Sequence, residues 1–294
     1  MFPKVPDRHK PGKTLVPNGV GVFYVLISAI YLFMLHGFQS VNSTAGQSFP
    51  ALDLAVCILF GGFMGLLDDW MNLRWRYKAF LPIFAALPLG VLRQGTPVMS
   101  TYFWGKINFS EITFWVMPGE IIFYLGIIPL IATVTTNAVN QLGGLNGLET
   151  VCPSIVLIAL MLVSSPDCRV LLYVPLAAYL VLALFNFHGK IFVGNTGSFA
   201  IGMTLASYAI IANIEQALLI SILPYLFNSL LKLLNILFFK RLPALRLKSN
   251  MLFADHRRSL LTLIAYYKPL SERQLVLVVS FIFAIFSGLA VLAS

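Results

Sequence analysis

Asp68 and Asp69 stand side by side at the end of an apolar run, with Asn72, Arg74, Arg76 and Lys78 close behind them. Adjacent carboxylates repel each other, and a divalent cation or a substrate proton gives such a pair a use. If helical geometry continues through this segment, Asp68 and Asn72 fall one turn apart on a common face, with Asp69 beside them. The plainer alternative is that the acidic pair marks a solvated helix end.

Three further clusters carry polar chemistry. The run from Asn137 to Glu149 holds Asn137, Asn140 and Asn146 together with Gly143, Gly144 and Gly147. These are poor residues for a spanning helix and suit an irregular loop whose amide and backbone groups approach a polar ligand. A flexible connector explains the glycines but not the spaced asparagines. In the run from His188 to Phe199, the stretch Gly194-Asn195-Thr196-Gly197 precedes a helix. Its backbone amides can hold phosphate oxygens, or Thr196 or Ser198 can serve as an ordinary cap. The segment from Lys240 to Lys268 adds Arg241, Arg246, Lys248, His256, Arg257 and Arg258. Most such residues beside a membrane meet anionic lipid, although arginine also grips pyrophosphate through paired hydrogen bonds. Taken together, acidic, amide, glycine-rich and basic clusters are the equipment of phosphoryl transfer.

The elements that position them are membrane helices. The chain has 294 residues, 59% of them hydrophobic and 11% charged, with a mean hydropathy of +0.86. A soluble domain of this length carries about a quarter charged residues. Apolar runs predict an all-α polytopic membrane protein with about nine spans, at 19–38, 50–67, 79–95, 119–138, 150–165, 168–187, 198–213, 217–239 and 273–293. With residues 1–18 inside, 16 Lys and Arg fall on the inner side, among them those of the basic loop 240–272. Only Arg93, Lys106 and Arg169 fall outside. That bias orients the chain and places all four clusters on the cytosolic face. The net charge of +9 therefore reads as topology and lipid contact, not nucleic-acid binding. The sequons at Asn42 and Asn108 both fall outside, and the outer stretch 96–118 reads as a small β-hairpin turning at Gly105-Lys106. Cys57, Cys152 and Cys168 suggest neither a disulfide framework nor a zinc site. No cleavable signal peptide is evident, and residues 1–294 read as a single integral membrane domain.

The runs Asp68-Asp69-Trp70-Met71-Asn72 to Lys78, Asn137 to Glu149 and Phe192-Val193-Gly194-Asn195-Thr196 resemble the polyprenyl-phosphate N-acetylhexosamine-1-phosphate transferases. The Asn146-Gly147-Leu148-Glu149 ending and Lys268-Pro269-Leu270-Ser271-Glu272-Arg273 are similar to the eukaryotic and archaeal branch, and the likeness runs along nearly the whole chain. The resemblance implies transfer of GlcNAc-1-phosphate from UDP-GlcNAc to dolichyl or another polyprenyl phosphate, releasing UMP. It further implies Mg²⁺, tunicamycin sensitivity, and the first step of lipid-linked oligosaccharide synthesis for N-glycosylation. The location implied is the endoplasmic reticulum membrane, or alternatively an archaeal plasma membrane. By motif position, Asp68 and Asp69 are the acidic pair, and one of them deprotonates or holds the lipid phosphate. Asn72 and Lys78 contact phosphates, and Asn146 and Asn195 are Mg²⁺ ligands. Asn137, Asn140, Gly147 and Glu149 line the substrate, and Arg241 or Arg246 grips the pyrophosphate.

Three departures stand out. Asn195 occupies the place of a family Asp, so with Asn146 also neutral the metal pair lacks a carboxylate. The family's helix ahead of the basic N-terminal segment has no counterpart in these residues. His256-Arg257-Arg258 only partly matches the family's His/Arg motif, and the long eukaryotic insertion is missing. A catalytically silent homologue acting as a binding or assembly subunit is therefore the alternative. A transporter or channel is disfavoured, because the polar clusters sit at helix ends on one face. A homodimer is left open.

Overall fold

The computed structural model describes residues 2–7, 9–10, 12, 14–41, 50–101, 105–239, 244–248 and 250–294. In chain order its helices are α1 Val22–Val41, α2 Pro50–Met71, α3 Trp75–Ala85, α4 Leu87–Val91, α5 Gly119–Gln141, α6 Leu148–Val163, α7 Pro166–Phe187, α8 Gly194–Ile211, α9 Glu215–Ser221, α10 Leu223–Phe239, α11 Leu260–Tyr267 and α12 Glu272–Ala293. Among the described residues, α1, α2, α5, α7 and α12 are each long and apolar enough to cross a membrane. The pair α9–α10 makes a sixth crossing if its 60° bend belongs to one span. The protein is thus a helical membrane protein, with helix at every segment where the sequence predicts a span.

The remaining segments differ from plain spans for local reasons. Proline lacks an amide proton and clashes with the preceding turn, and Pro82 and Pro88 flank the break at Ala86 between α3 and α4. Pro224 follows the bend at Ile222 in the same way. α6 has only 16 residues. α8 is enclosed by protein, with every residue from Thr196 to Ile211 buried.

α8 is the centre of the bundle, packed between α2 and α5. Small residues let the backbones approach, as is common where helices meet inside membranes. Gly61 and Gly65 of α2 face Met203 and the Asn195 carbonyl of α8, while Gly202 of α8 faces Thr136 of α5. Around this centre, α1 lies on α2 and α7, and α12 lies on α6. Large apolar side chains such as Phe23, Ile30, Leu184, Phe281 and Ile285 stay exposed on the outer faces, as lipid-facing positions require.

Four two-stranded antiparallel hairpins complete the fold: β1 Lys4–Pro6 with β2 Leu15–Pro17, β3 Val98–Thr101 with β4 Gly105–Asn108, β5 Thr113–Phe114 with β6 Met117–Pro118, and β7 Arg246–Lys248 with β8 Met251–Phe253. The hairpin expected in 96–118 is present, but Thr101 pairs with Gly105. Gly105-Lys106 therefore opens the second strand instead of forming the turn; residues 102–104 lie outside the described residues. A second small hairpin, β5–β6, follows it. The basic loop 240–272 is not merely a loop, for it folds into β7–β8 and α11. Asn42 of the first sequon lies outside the described residues.

Candidate active site

One end of the bundle collects the C-termini of α2, α5 and α7 with the N-termini of α6, α8 and α12. Hydrogen bonds join these ends directly. Asp69 Oδ1 accepts from the Asn195 amide at 2.9 Å, and its Oδ2 accepts from the Thr196 amide at 2.9 Å and the Thr196 hydroxyl at 2.8 Å. The carboxylate of α2 therefore caps α8, where free amides and the helix dipole favour negative charge. The Asn195 and Thr196 amides, expected to be able to hold phosphate oxygens, donate here to Asp69. The capping expected from Thr196 or Ser198 is likewise supplied from α2.

Asp68 faces the other way. Its Oδ1 lies 2.7 Å from Lys78 Nζ and accepts from the Leu73 amide at 3.0 Å, while its Oδ2 is buried without a partner. The Asn72 amide still donates to the Asp68 carbonyl at 2.9 Å, so the helical turn continues that far. Asn72 then takes a φ of 48° and ends the helix in the left-handed region, exposed. Lys78, expected to contact a phosphate, pairs here with Asp68.

Beside Asp69 opens a cleft of about 560 Å³, within the range typical of small-molecule sites. Asn140, Glu149 and Asn195, all singled out from the sequence, line it with Asp69. Ser198 Oγ donates to Asn140 Oδ1 at 2.6 Å, and Glu149 Oε1 accepts from the Gly144 amide at 2.8 Å. A Cβ at Gly143 would lie 2.5 Å from Glu149 Oε1, so glycine there lets the loop fold over the carboxylate. A neighbouring recess of about 280 Å³ shares His9, Gly143, Gly144 and Lys232 with the cleft.

Other expected residues stand apart from the cleft lining. Asn137 Nδ2 donates to the Ala79 and Thr133 carbonyls, which ties α5 to α3. Gly147, at φ 94°, begins α6 and donates its amide to Asn186 Oδ1 at 2.9 Å. Arg246 pairs with Asp255 at 3.0 Å on the exposed β7–β8 hairpin and does not line the cleft. Arg241 lies outside the described residues.

As a Mg²⁺ pair, Asn146 and Asn195 do not fit. Mg²⁺ asks for oxygen donors that include one or two carboxylates beside substrate phosphates. Asn195 supplies none, and the amide nitrogen of Asn146 points at two carboxylates. Its Nδ2 donates to Asp7 Oδ2 at 2.7 Å and to Glu272 Oε1 at 2.9 Å, while its Oδ1 is buried without a partner.

The sequence reading missed the β1–β2 hairpin, which folds over this end and brings Val5, Pro6, Asp7, His9 and Asn18 into the cleft lining. The paired Val5-Pro6-Asp7 and Val16-Pro17-Asn18 about Pro11-Gly12 were a hairpin signal. Lys232 was missed as well. It sits within the apolar α10, donates to the Gln141 carbonyl and lines the cleft. An ionisable residue inside an apolar helix is itself a functional signal.

Comparisons with known proteins bear on this geometry. The profile described as glycosyl transferase family 4 matches residues 51–213. A Sulfolobus acidocaldarius protein with the provisional name UDP-N-acetylglucosamine–dolichyl-phosphate N-acetylglucosaminephosphotransferase is 32% identical over 235 residues, covering 77% of this chain and 68% of that one. A Saccharolobus solfataricus protein with the same provisional name is 34% identical over 237 residues, at the same coverage. The Dictyostelium discoideum protein named as this transferase is 29% identical over 251 residues, covering 73% of this chain and 60% of its own length.

Proposed function

Because this chain belongs to glycosyl transferase family 4, we propose that it transfers GlcNAc-1-phosphate from UDP-GlcNAc to dolichyl or another polyprenyl phosphate, releasing UMP. An oxygen of the lipid phosphate attacks the sugar-bearing phosphorus of UDP-GlcNAc. The bond to the bridging oxygen breaks, and UMP carries that oxygen away. Such a reaction asks little covalent chemistry of the protein and much positioning.

The observation that carries this reading is the clamp of Asp69 on the first turn of α8. It fixes Asn195, Ser198 and, through Ser198, Asn140 along one wall of the cleft. Both Asp69 oxygens are committed, so Asp69 acts here as a positioning group and not as the base. The acceptor has a path of its own. An apolar groove of about 600 Å³ between α1 and α7 includes Val20 and Ile191, and Phe192 next to Ile191 lines the cleft. A prenyl chain in that groove would bring its phosphate to the cleft mouth.

On this proposal residues 1–294 form one membrane domain of nine crossings. The site faces the cytosol, and the β3–β6 hairpins lie at the opposite end. The membrane is the endoplasmic reticulum or an archaeal plasma membrane. The lipid product opens oligosaccharide assembly for N-glycosylation. Asn195 favours a second reading, a silent homologue that binds without turnover. The test is purified protein with UDP-GlcNAc, dolichyl phosphate and a divalent cation. GlcNAc-diphospho-lipid and UMP are expected, with Asp69→Asn abolishing both and Asn195→Asp lowering the cation concentration needed. UDP-GlcNAc binding without UMP, in the parent and in Asn195→Asp alike, would establish the silent reading instead.

A further inference from the structure

We propose that Lys232 binds the diphosphate of the donor where the cleft meets the neighbouring recess. The residue belongs to a polar stripe on α10. Asn228, Lys232 and Asn235 follow one another at spacings of four and three, so they share one face of the helix. Asn228 and Asn235 are buried, while Leu230, Leu233, Leu234 and Leu237 are exposed on the opposite side. An otherwise apolar helix thus turns its polar groups inward. Asn228 Oδ1 accepts from the Leu260 amide at 3.1 Å and docks α11 on this face. Ser259 and Thr262 then line the recess together with Lys232.

The charge of Lys232 is not balanced by the protein. Its ammonium donates to the Gln141 carbonyl at the end of α5, where free carbonyls favour a cation. That is its one acceptor among the described residues, and an ammonium has three protons to give. It forms no ion pair among the described residues. The carboxylates of the cleft lining are engaged elsewhere: Asp7 by Lys10 at 3.2 Å, Asp69 by the first turn of α8, and Glu149 by the Gly144 amide. Lys78 and Arg246 likewise have their own partners. A partly buried ammonium in an apolar helix is costly without a counter-ion, and an anionic ligand offsets that cost.

Position selects the anion. The cleft and the recess share His9, Gly143, Gly144 and Lys232. UDP-GlcNAc has two uncharged ends joined by a diphosphate. A donor with one end in each space carries its diphosphate past these shared residues. The glycines present bare backbone, which lets phosphate oxygens come close, and Lys232 supplies the charge. The acceptor groove reaches the cleft at Phe192, which is no part of the recess lining, so the lipid phosphate arrives from another side.

This inference rests on the transferase reading, and its test separates the two. UDP-GlcNAc, UDP and uridine are titrated by calorimetry into the purified full chain in nanodiscs. Lys232→Met should weaken UDP-GlcNAc and UDP by about tenfold or more, the loss of one charge-assisted hydrogen bond, and leave uridine unchanged. Lys232→Arg should restore most of the affinity. In turnover, Lys232→Met should raise KM for UDP-GlcNAc and not for dolichyl phosphate. A lysine that merely caps α5 would instead weaken uridine and UDP alike and lower the melting temperature, which overturns the proposal. A rise confined to the KM for dolichyl phosphate overturns the assignment to the donor. Turnover and UDP affinity both indifferent to Lys232→Met remove this inference and keep the transferase reading. Lys232-dependent UDP binding without UMP release upholds the site and removes the transferase reading.

Discussion

Lys78 Nζ reaches Asp68 Oδ1 with the carboxylate side chain 1% exposed and the lysine 26% exposed. Taking one partner from a buried pair leaves a charge without compensation. Lys78→Met is therefore expected to cost roughly 3 kcal/mol, at the low end of such losses because Lys78 keeps some water. Adding Asp68→Asn should recover most of it, as read by thermal unfolding of both variants in detergent. A single variant melting with the parent would remove the ion pair from the account of this fold. At this scale the chemistry of the residues was legible but their partners were not. The Asp68-Asp69 pair stood out in the chain, and so did the asparagine-glycine run. That Asp69 meets a helix beginning 125 residues later is a matter of packing, which no local pattern encodes. Asp7 lay in a stretch whose lysines and arginines read as a topology signal, and that reading hid its carboxylate.

Between elements, the close approach of α2 and α8 sets the position of the cleft wall. A Cβ at Gly65 would lie 2.2 Å from the Asn195 carbonyl oxygen, a backbone atom that cannot swing aside. Gly65→Ala should push the helices apart at a cost of about 1–3 kcal/mol and lower turnover with it. Gly37→Ala, which meets nothing within 4 Å, is the matched control. Identical melting and turnover for the two variants would sever the α2–α8 contact from function. Helix positions were readable because apolar runs of spanning length are a strong signal. The interruptions were less so. Pro82, Pro88 and Pro224 were visible as breakers yet compatible with continuous spans. The π-helical turn at Phe123–Ile127 has no marker in its composition.

Over the whole molecule, polar chemistry gathers at one end, and on the proposed topology the β3–β4 and β5–β6 hairpins belong to the other. There, Arg93 pairs with Glu120, and the Tyr124 hydroxyl donates to the Gly95 carbonyl. In vesicles of uniform orientation, a membrane-impermeant maleimide should label Arg74→Cys from one side only and Trp115→Cys from the other only, both positions being exposed. Labelling of both from the same side would contradict the topology. The basic residues read as a record of orientation, and this labelling tests that reading. The central place of α8 was not legible, because an all-round apolar run of this length reads the same whether lipid or protein surrounds it. The tie of Asn146 to Glu272 spans 126 residues of sequence, and Glu272 opens the last helix. During synthesis, then, the Asn146 loop finds its anchor only after the ribosome has delivered Glu272. Until that residue arrives, the Asn146 loop lacks this tie.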